Sequence, residues 1–400
     1  MLAKRIALIT CVFPPEPVVS SEISYSLVEE ISKNHKVKLL CPPPSRPNGF
    51  SFEKENVVSF TCCSNVELHR ANSFVFSKSG FFGRLIESIS FGISSYIFIM
   101  REKSSIDIVY MNTWPLFGQL GVALVCRNFG LKYIVHVQDI YPESLANKLP
   151  KFLAIMILNL LMPIEKYVMR NAFKIVVVSD YMRARIITRG KVDEEKISVV
   201  HNWQDEDNFK KWNDVKVDNE RLTFMYLGNI GPVANIPFVI QTFHEANLDA
   251  ILIVAGSGSM RKDCQDLVNS LGISTVYFLD VASGEVPRTQ SKADILILST
   301  ISNGARSSIP SKLPAYMFSK KPIFALVDDN TDTYNAIMES KCGWVVSPKD
   351  KFQIIDKFKE VANKSKSEFT AKGLNGYCYA KEHFSKTEGL KKLTSIILDQ

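Results

Sequence analysis

The chain is poor in the residues that build most metal and redox centres. Its six histidines are scattered along 400 residues, and its eight cysteines form no C-x-x-C pair. Zinc ribbons and thioredoxin-like motifs are therefore excluded, and cysteines inside apolar strand patterns act as small hydrophobes suited to a reducing cytoplasm. No apolar run reaches the ~20 residues needed to cross a bilayer. Internal repeats, low-complexity tracts and charged tails are also missing, which excludes solenoids and polybasic arms. The start, Met1–Thr10, runs directly into Phe13-Pro14-Pro15-Glu16-Pro17 without a small-residue cleavage site. It is read as a first buried strand, not a signal peptide.

What is present is an ordinary globular composition, 46% apolar and 22% charged. The net charge of +7 is spread along the chain and does not by itself choose among anionic lipid, nucleic acid and sugar nucleotides. Strand and helix patterns alternate throughout, which predicts parallel α/β architecture. Expected strands in the first half are Arg5–Cys11, Lys36–Leu40, Val57–Phe60, Ile106–Met111, Tyr133–Val137, Lys174–Val178 and Ile197–Val200, with helices at Ser21–Asn34 and Leu116–Phe129. A polar connection from Gln204 to Asn219 has no apolar period, and the alternation restarts at Leu222–Leu227. The expected domains are 1–212, joined by a C-terminal helix at 380–400, and 213–379. Two facing doubly wound sheets of this kind would bind ligands in a cleft at the carboxyl ends of their strands.

Three segments at expected strand ends carry chemistry. Gly228-Asn229-Ile230-Gly231 and Ala255-Gly256-Ser257-Gly258 each follow a strand and precede a helix, allowing close backbone approach to an anion. A strand-end turn also needs glycine for structural reasons alone. The third is Asn303–Tyr316, which places Arg306, Ser311 and Lys312 before and at the start of a short helix, a pattern suited to phosphate. In the first half, Asp139 lies just past an apolar strand. A carboxylate there either serves an acceptor hydroxyl or caps the Tyr141-Pro142 bend. Glu143 either shares that acceptor side or caps the next helix. The acidic triplet Asp205-Glu206-Asp207 sits in the polar connection and is read as solvated linker, so no metal site is expected.

Taken in order, these segments resemble the family 4 retaining glycosyltransferases, which have the GT-B fold. Phe13-Pro14-Pro15-Glu16 is similar to that family's opening loop, and Pro310-Ser311-Lys312-Leu313 with Tyr316 to its donor helix. Val137-Gln138-Asp139-Ile140-Tyr141-Pro142-Glu143 resembles envelope-polysaccharide and O-antigen transferases, including the N-acetylfucosamine-transferase type. The resemblance implies a metal-independent transferase without cofactor. It would take a nucleotide-diphosphate sugar as donor and a lipid-linked (polyprenyl-diphosphate) saccharide as acceptor, at the cytoplasmic face of a membrane, with no nucleic-acid partner. It assigns Asp139 to catalysis and Glu16 and Glu143 to the acceptor side. Donor binding falls to Gly228, Asn229, Gly231, Gly256, Gly258, Arg306, Ser311 and Lys312.

The chain departs from the family pattern where two glutamates are usual, at Ser307 and Ala315, and where a cationic pair follows the first glycine turn. Those departures move the diphosphate onto Lys312 and Arg306. They also motivate two alternatives, a non-catalytic GT-B scaffold for a partner transferase and a sugar-nucleotide epimerase. Two apolar stretches, Phe74–Met100 and Phe152–Ile164, are read either as core helices or as interfacial segments flanked by Arg101 and Lys151.

Overall fold

The computed structural model describes residues 3–45, 64–76, 81–112, 115–146, 149–190, 192–212, 219–282, 284–302, 304 and 309–399. The expected strand Val57–Phe60, together with Arg306 and Ser307, lies outside the described residues. The chain forms two compact units, Met1–Asn202 with Leu390–Gln400, and Trp203–Gly389.

The first unit holds seven strands: β1 Arg5–Thr10, β2 Lys36–Cys41, β3 Val66–Arg70, β4 Ile108–Asn112, β5 Lys132–Val137, β6 Lys174–Val177 and β7 Ile197–Val199. They pair in parallel in the order β3-β2-β1-β4-β5-β6-β7. Central strands such as β4 and β5 are almost wholly buried because helices cover both faces, which is why their sequences are continuous apolar runs. The edge strand β3, Val66-Glu67-Leu68-His69-Arg70, alternates polar residues instead. The chain runs outward from β1 to β3 and then crosses back to β4. The topological switch point, where open sheets bind ligands, therefore lies between β1 and β4.

The second unit repeats the plan with β8 Leu222–Leu227, β9 Ala250–Ala255, β10 Val276–Leu279, β11 Ile295–Ser299, β12 Ile323–Leu326 and β13 Gly343–Val346, in the order β10-β9-β8-β11-β12-β13. Its switch point lies between β8 and β11. Alternate residues of each strand feed opposite faces. Phe224 and Phe324 join Phe243 and Phe358 on one side, with Phe324 stacked on Phe358 at 4.3 Å. Met225, Leu296 and Leu298 meet Leu313, Tyr316 and Phe318 on the other.

The division between units falls at Asn202/Trp203 and Gly389/Leu390, where composition placed it at 212/213 and 379/380. Side chains after Asn202 explain the shift. Gln204 forms a β-bridge with Ser385, Phe209 packs on Phe318 at 5.8 Å, and a Cβ at Gly389 would lie 2.3 Å from the Trp203 ring. The acidic triplet is partly tied down as well. Asp205 pairs with Lys386 at 3.2 Å, and Glu206 accepts from the Lys386 N–H and the Thr387 hydroxyl. The C-terminal segment is two helices, Lys366–His383 and Lys386–Leu398, the second reaching the first unit.

Candidate functional site

The second unit gathers most of the expected donor residues at the carboxyl end of β8. Gly228 has φ +151°, and a Cβ there would sit 2.0 Å from Lys312 Cε and 3.0 Å from Lys312 Nζ. A side chain at 228 would push the end of that lysine aside and would adopt a backbone conformation that favours glycine. The second glycine turn folds onto the first: Gly228 N–H donates to Ala255 O (3.0 Å), and Ile230 N–H to Ser257 O (2.8 Å). A Cβ at Gly258 would meet Ile230 O at 2.4 Å and Asn229 Oδ1 at 2.6 Å. Gly231 closes the first turn against Asn229 Nδ2, which lies 3.1 Å from where its Cβ would be. The two turns and Lys312 thus form one backbone-lined cluster, with Gly256 at its base donating to Leu279 O at 2.9 Å.

Lys312 is the unusual member. Its ammonium lies over the Tyr226 ring, 5.0 Å from the centroid, and no carboxylate among the described residues pairs with it. Burial lowers its pKa from the ordinary lysine value of 10.5. A half-buried cation with aromatic and backbone neighbours but no counter-charge is matched to an incoming anion. The helix it opens, Lys312–Phe318, has only seven residues and no side-chain cap. So short a helix offers little dipole of its own, and the charge at this place rests on the Lys312 ammonium, as the sequence suggested. Ser311 is exposed, and its carbonyl accepts from Gln204 Nε2 at 3.4 Å.

Two tyrosines hold the cluster: Tyr316, which the donor-helix resemblance includes, and Tyr226, which the sequence reading did not single out. The Tyr316 hydroxyl accepts from Leu227 N–H (3.0 Å) and donates to Leu227 O (2.9 Å). It sits on the same helix as Lys312, so it fixes that helix against the end of β8. The Tyr226 hydroxyl donates to Asn229 O at 2.6 Å. Arg261, also missed, donates to Gly256 O and pairs with Asp280 at 2.6 Å. In apolar runs tyrosines pass as core, so only the hydroxyl partners distinguish these two. Ala315 is buried in the apolar cluster beneath.

The first unit places its three candidates differently. Asp139 is exposed just beyond β5, and its carboxylate makes no hydrogen bond among the described residues. Glu16 is buried, with Oε2 accepting from Phe13 N–H (3.0 Å) and Oε1 from Ser45 N–H (2.8 Å), so it holds the loop after β1. Glu143 accepts from Arg189. The same guanidinium reaches Glu165 at 2.5 Å and Tyr141 O at 3.3 Å. Burial raises the pKa of Glu165 against the opposing pull of Arg189. The cluster braces the loop that carries Asp139. Beneath it, His136 bonds Tyr110 Oη at 2.6 Å and Gln138 Nε2 at 3.0 Å. Burial pushes the His136 pKa down to about 3, so the ring stays neutral.

Comparison with known proteins agrees with the two-unit architecture. Residues 23–208 match the model of Glycosyltransferase Family 4, and residues 207–372 match Glycosyl transferases group 1. The chain belongs to the family 4 glycosyltransferases and has their GT-B fold. Among relatives, the probable glycosyltransferase WbjE of Pseudomonas aeruginosa is 22% identical over 61% of this chain. The chain spans 36% and 63% of the lengths of the two curated relatives it matches. Among solved structures, Anabaena HepE in complex with UDP superimposes with a TM-score of 0.69 at 13% identity, covering 99% of this chain and 100% of that one. WaaG, a glycosyltransferase involved in lipopolysaccharide biosynthesis, gives 0.64 at 14% identity, with 99% and 100% covered.

Proposed function

We propose that the protein is a retaining glycosyltransferase that moves a sugar from a nucleotide-diphosphate donor to a lipid-linked saccharide in envelope-polysaccharide or O-antigen synthesis. The observation that carries this reading is Lys312, an uncompensated cation held against Gly228 at the switch point of the second sheet. A departing diphosphate brings the counter-charge this site lacks, and the preorganised backbone turns add hydrogen-bond donors without reorganisation. Arg306 is a second proposed diphosphate ligand, and Asp139 the acceptor-side carboxylate, poised to take the hydroxyl proton or stabilise positive charge at the sugar carbon. The first unit would work at the cytoplasmic membrane face, where a polyprenyl-diphosphate acceptor resides. The reaction needs no metal, so chelation with EDTA should leave its rate unchanged. WaaG, a glycosyltransferase involved in lipopolysaccharide biosynthesis, supports the envelope setting.

Calorimetry with a panel of nucleoside diphosphates tests the donor half. UDP is its first member, because the HepE structure holds UDP. Saturable binding to wild type, weakened in Lys312→Ala, is the expected outcome. No binding by a folded wild type would favour the scaffold alternative, and sugar-nucleotide turnover without acceptor would favour an epimerase.

A further inference from the structure

Two helices of the first unit are built inside out. In Phe81–Glu102 the side packed on the protein carries Ser88, Gly92 and Ser95 beside Phe91 and Ile99, whereas Phe82, Ile86, Ile89, Ile93, Ile97 and Met100 lie exposed along the opposite side. Gly92 packs directly on the helix Leu116–Phe129: a Cβ there would sit 2.3 Å from Phe117 O, and one at Gly121 would sit 2.3 Å from Gly92 O. The packing therefore fixes which side faces outward. Phe82 is 76% exposed and Ile93 56%. Water-facing helices place polar residues outward, and small residues inward with large apolar ones outward is the pattern of helices that meet lipid.

The helix Lys151–Asn171 shows the same inversion along its length. No residue from 151 to 160 is buried, and Phe152 (78%), Ile155 (61%), Met156 (52%) and Leu160 (67%) are the most open of its apolar side chains. From Leu161 onward the helix is committed to the protein through Leu161, Glu165, Val168 and Met169, with Glu165 paired to Arg189 at 2.5 Å. By length and composition this helix could cross a membrane. The buried ion pair and core contacts of its second half forbid that. The open part, 151–160, rises about 15 Å, half the ~30 Å hydrocarbon thickness.

Charge selects the occupant. Each acidic residue of the two helices is neutralised within the unit: Glu87 by Arg84 at 2.8 Å, Glu102 by Lys38 at 2.5 Å, and Glu165 by Arg189. Arg101, Lys151, Lys166 and Arg170 have no carboxylate partner among the described residues. Lys166 and Arg170 flank Tyr167 along a surface groove just beyond the apolar segment, at the level where headgroups would lie. A second copy of this face would oppose cation to cation, whereas an anionic bilayer satisfies both the apolar rows and the excess charge.

We infer that these two helices form a monotopic docking face. The exposed half of Lys151–Asn171 and the outer row of Phe81–Glu102 enter one leaflet of an anionic bilayer, and neither helix spans it. This deepens the membrane location of the proposed function, but its test needs no donor or acceptor, so the two readings fail separately. Flotation with vesicles of phosphatidylcholine, with and without phosphatidylglycerol, is the measurement. Wild type should float with the anionic vesicles. The double variants Phe152→Glu/Ile155→Glu and Ile89→Glu/Ile93→Glu should each lose about tenfold or more of that binding with unchanged melting temperature, since the positions are exposed. Arg101→Ala/Lys151→Ala should lose a few-fold and narrow the preference for anionic lipid. Wild type that stays in solution with both vesicle types overturns the inference. So does a wild-type dimer that the glutamate variants dissolve. In Phe152→Trp, the added fluorescence should be quenched by bromines on shallow acyl carbons; quenching only from the bilayer centre overturns the one-leaflet insertion.

Discussion

The two sheets share one order of connections and end in opposite chemistries. At the switch point of the first, Thr10 on β1 and Asn112 on β4 face each other in register. They close on Ser24, with Asn112 Nδ2 donating to its hydroxyl at 2.9 Å and the Thr10 hydroxyl 3.2 Å away. At the switch point of the second, the Tyr316 hydroxyl ties off Leu227, and the next residue is a glycine that admits a buried lysine. One end is filled by neutral side chains bonded through Ser24, with the buried Asn112 Oδ1 left unpartnered among the described residues. The other leaves the Lys312 ammonium without a carboxylate partner among the described residues. Topology decides where a ligand crevice lies, and a few side chains decide which charge it takes.

The sharpest way to break this contrast is to test whether the neutral end has any chemistry of its own. Asp139→Asn, at an exposed position that leaves folding intact, should cut transfer by about 10²-fold or more with donor affinity unchanged. Equal loss of donor binding would mean the two ends are not specialised. Lys312→Ala should weaken nucleoside-diphosphate binding about 10- to 100-fold by calorimetry, the value of a charge-assisted hydrogen bond in a half-buried site. Gly228→Ala should do much the same at lower cost, several-fold in affinity and about 1 kcal/mol in stability, by displacing the lysine end and straining a positive φ.

Acidity sharpens the comparison further: burial lowers the pKa of Lys312 and of His136 alike, but the first effect shows as pH rises and the second as it falls. Anion binding needs Lys312 protonated. Its pKa is lowered by burial, so affinity should begin to fall, as pH rises, below the ordinary lysine value of 10.5. That alkaline loss should be absent in Lys312→Arg. In the first unit, His136 titrates near 3 when folded and near 6.5 when unfolded. The unfolded chain takes up a proton that the folded one refuses, so stability is lost as pH falls from 6.5 toward 3. The slope from this group is at most about 1.4 kcal/mol per pH unit. Thermal melts across that range should show it, and His136→Gln, which keeps a partner for Tyr110, should flatten it.

Much of the fold was legible because buried parallel strands are written as unbroken apolar runs. The helix Leu116–Phe129 was legible to the residue, its end marked by Gly130 at φ +67°. The edge strand β3 was not, since Glu67, His69 and Arg70 break the apolar signal that identifies central strands. The strand β13 escaped because it opens at Gly343, just behind Lys341 at φ +55°, where the sequence reads as a turn. At the candidate site, glycine spacing pointed to the turns, but nothing in the sequence says that Lys312 leans on Gly228. Composition likewise marked an apolar stretch at Phe74–Met100 without saying which side faces the protein. Only packing at Gly92 decides that.

The contact between Gly228 and Lys312 also has a meaning in descent. The positions are far apart in the chain, yet a Cβ at 228 takes the space where the end of the lysine lies. A lineage that replaced the glycine would displace the cation, and selection would no longer hold a lysine at 312. The two positions should therefore tend to be kept or lost together, and in a relative with the lysine but not the glycine the ammonium should sit elsewhere.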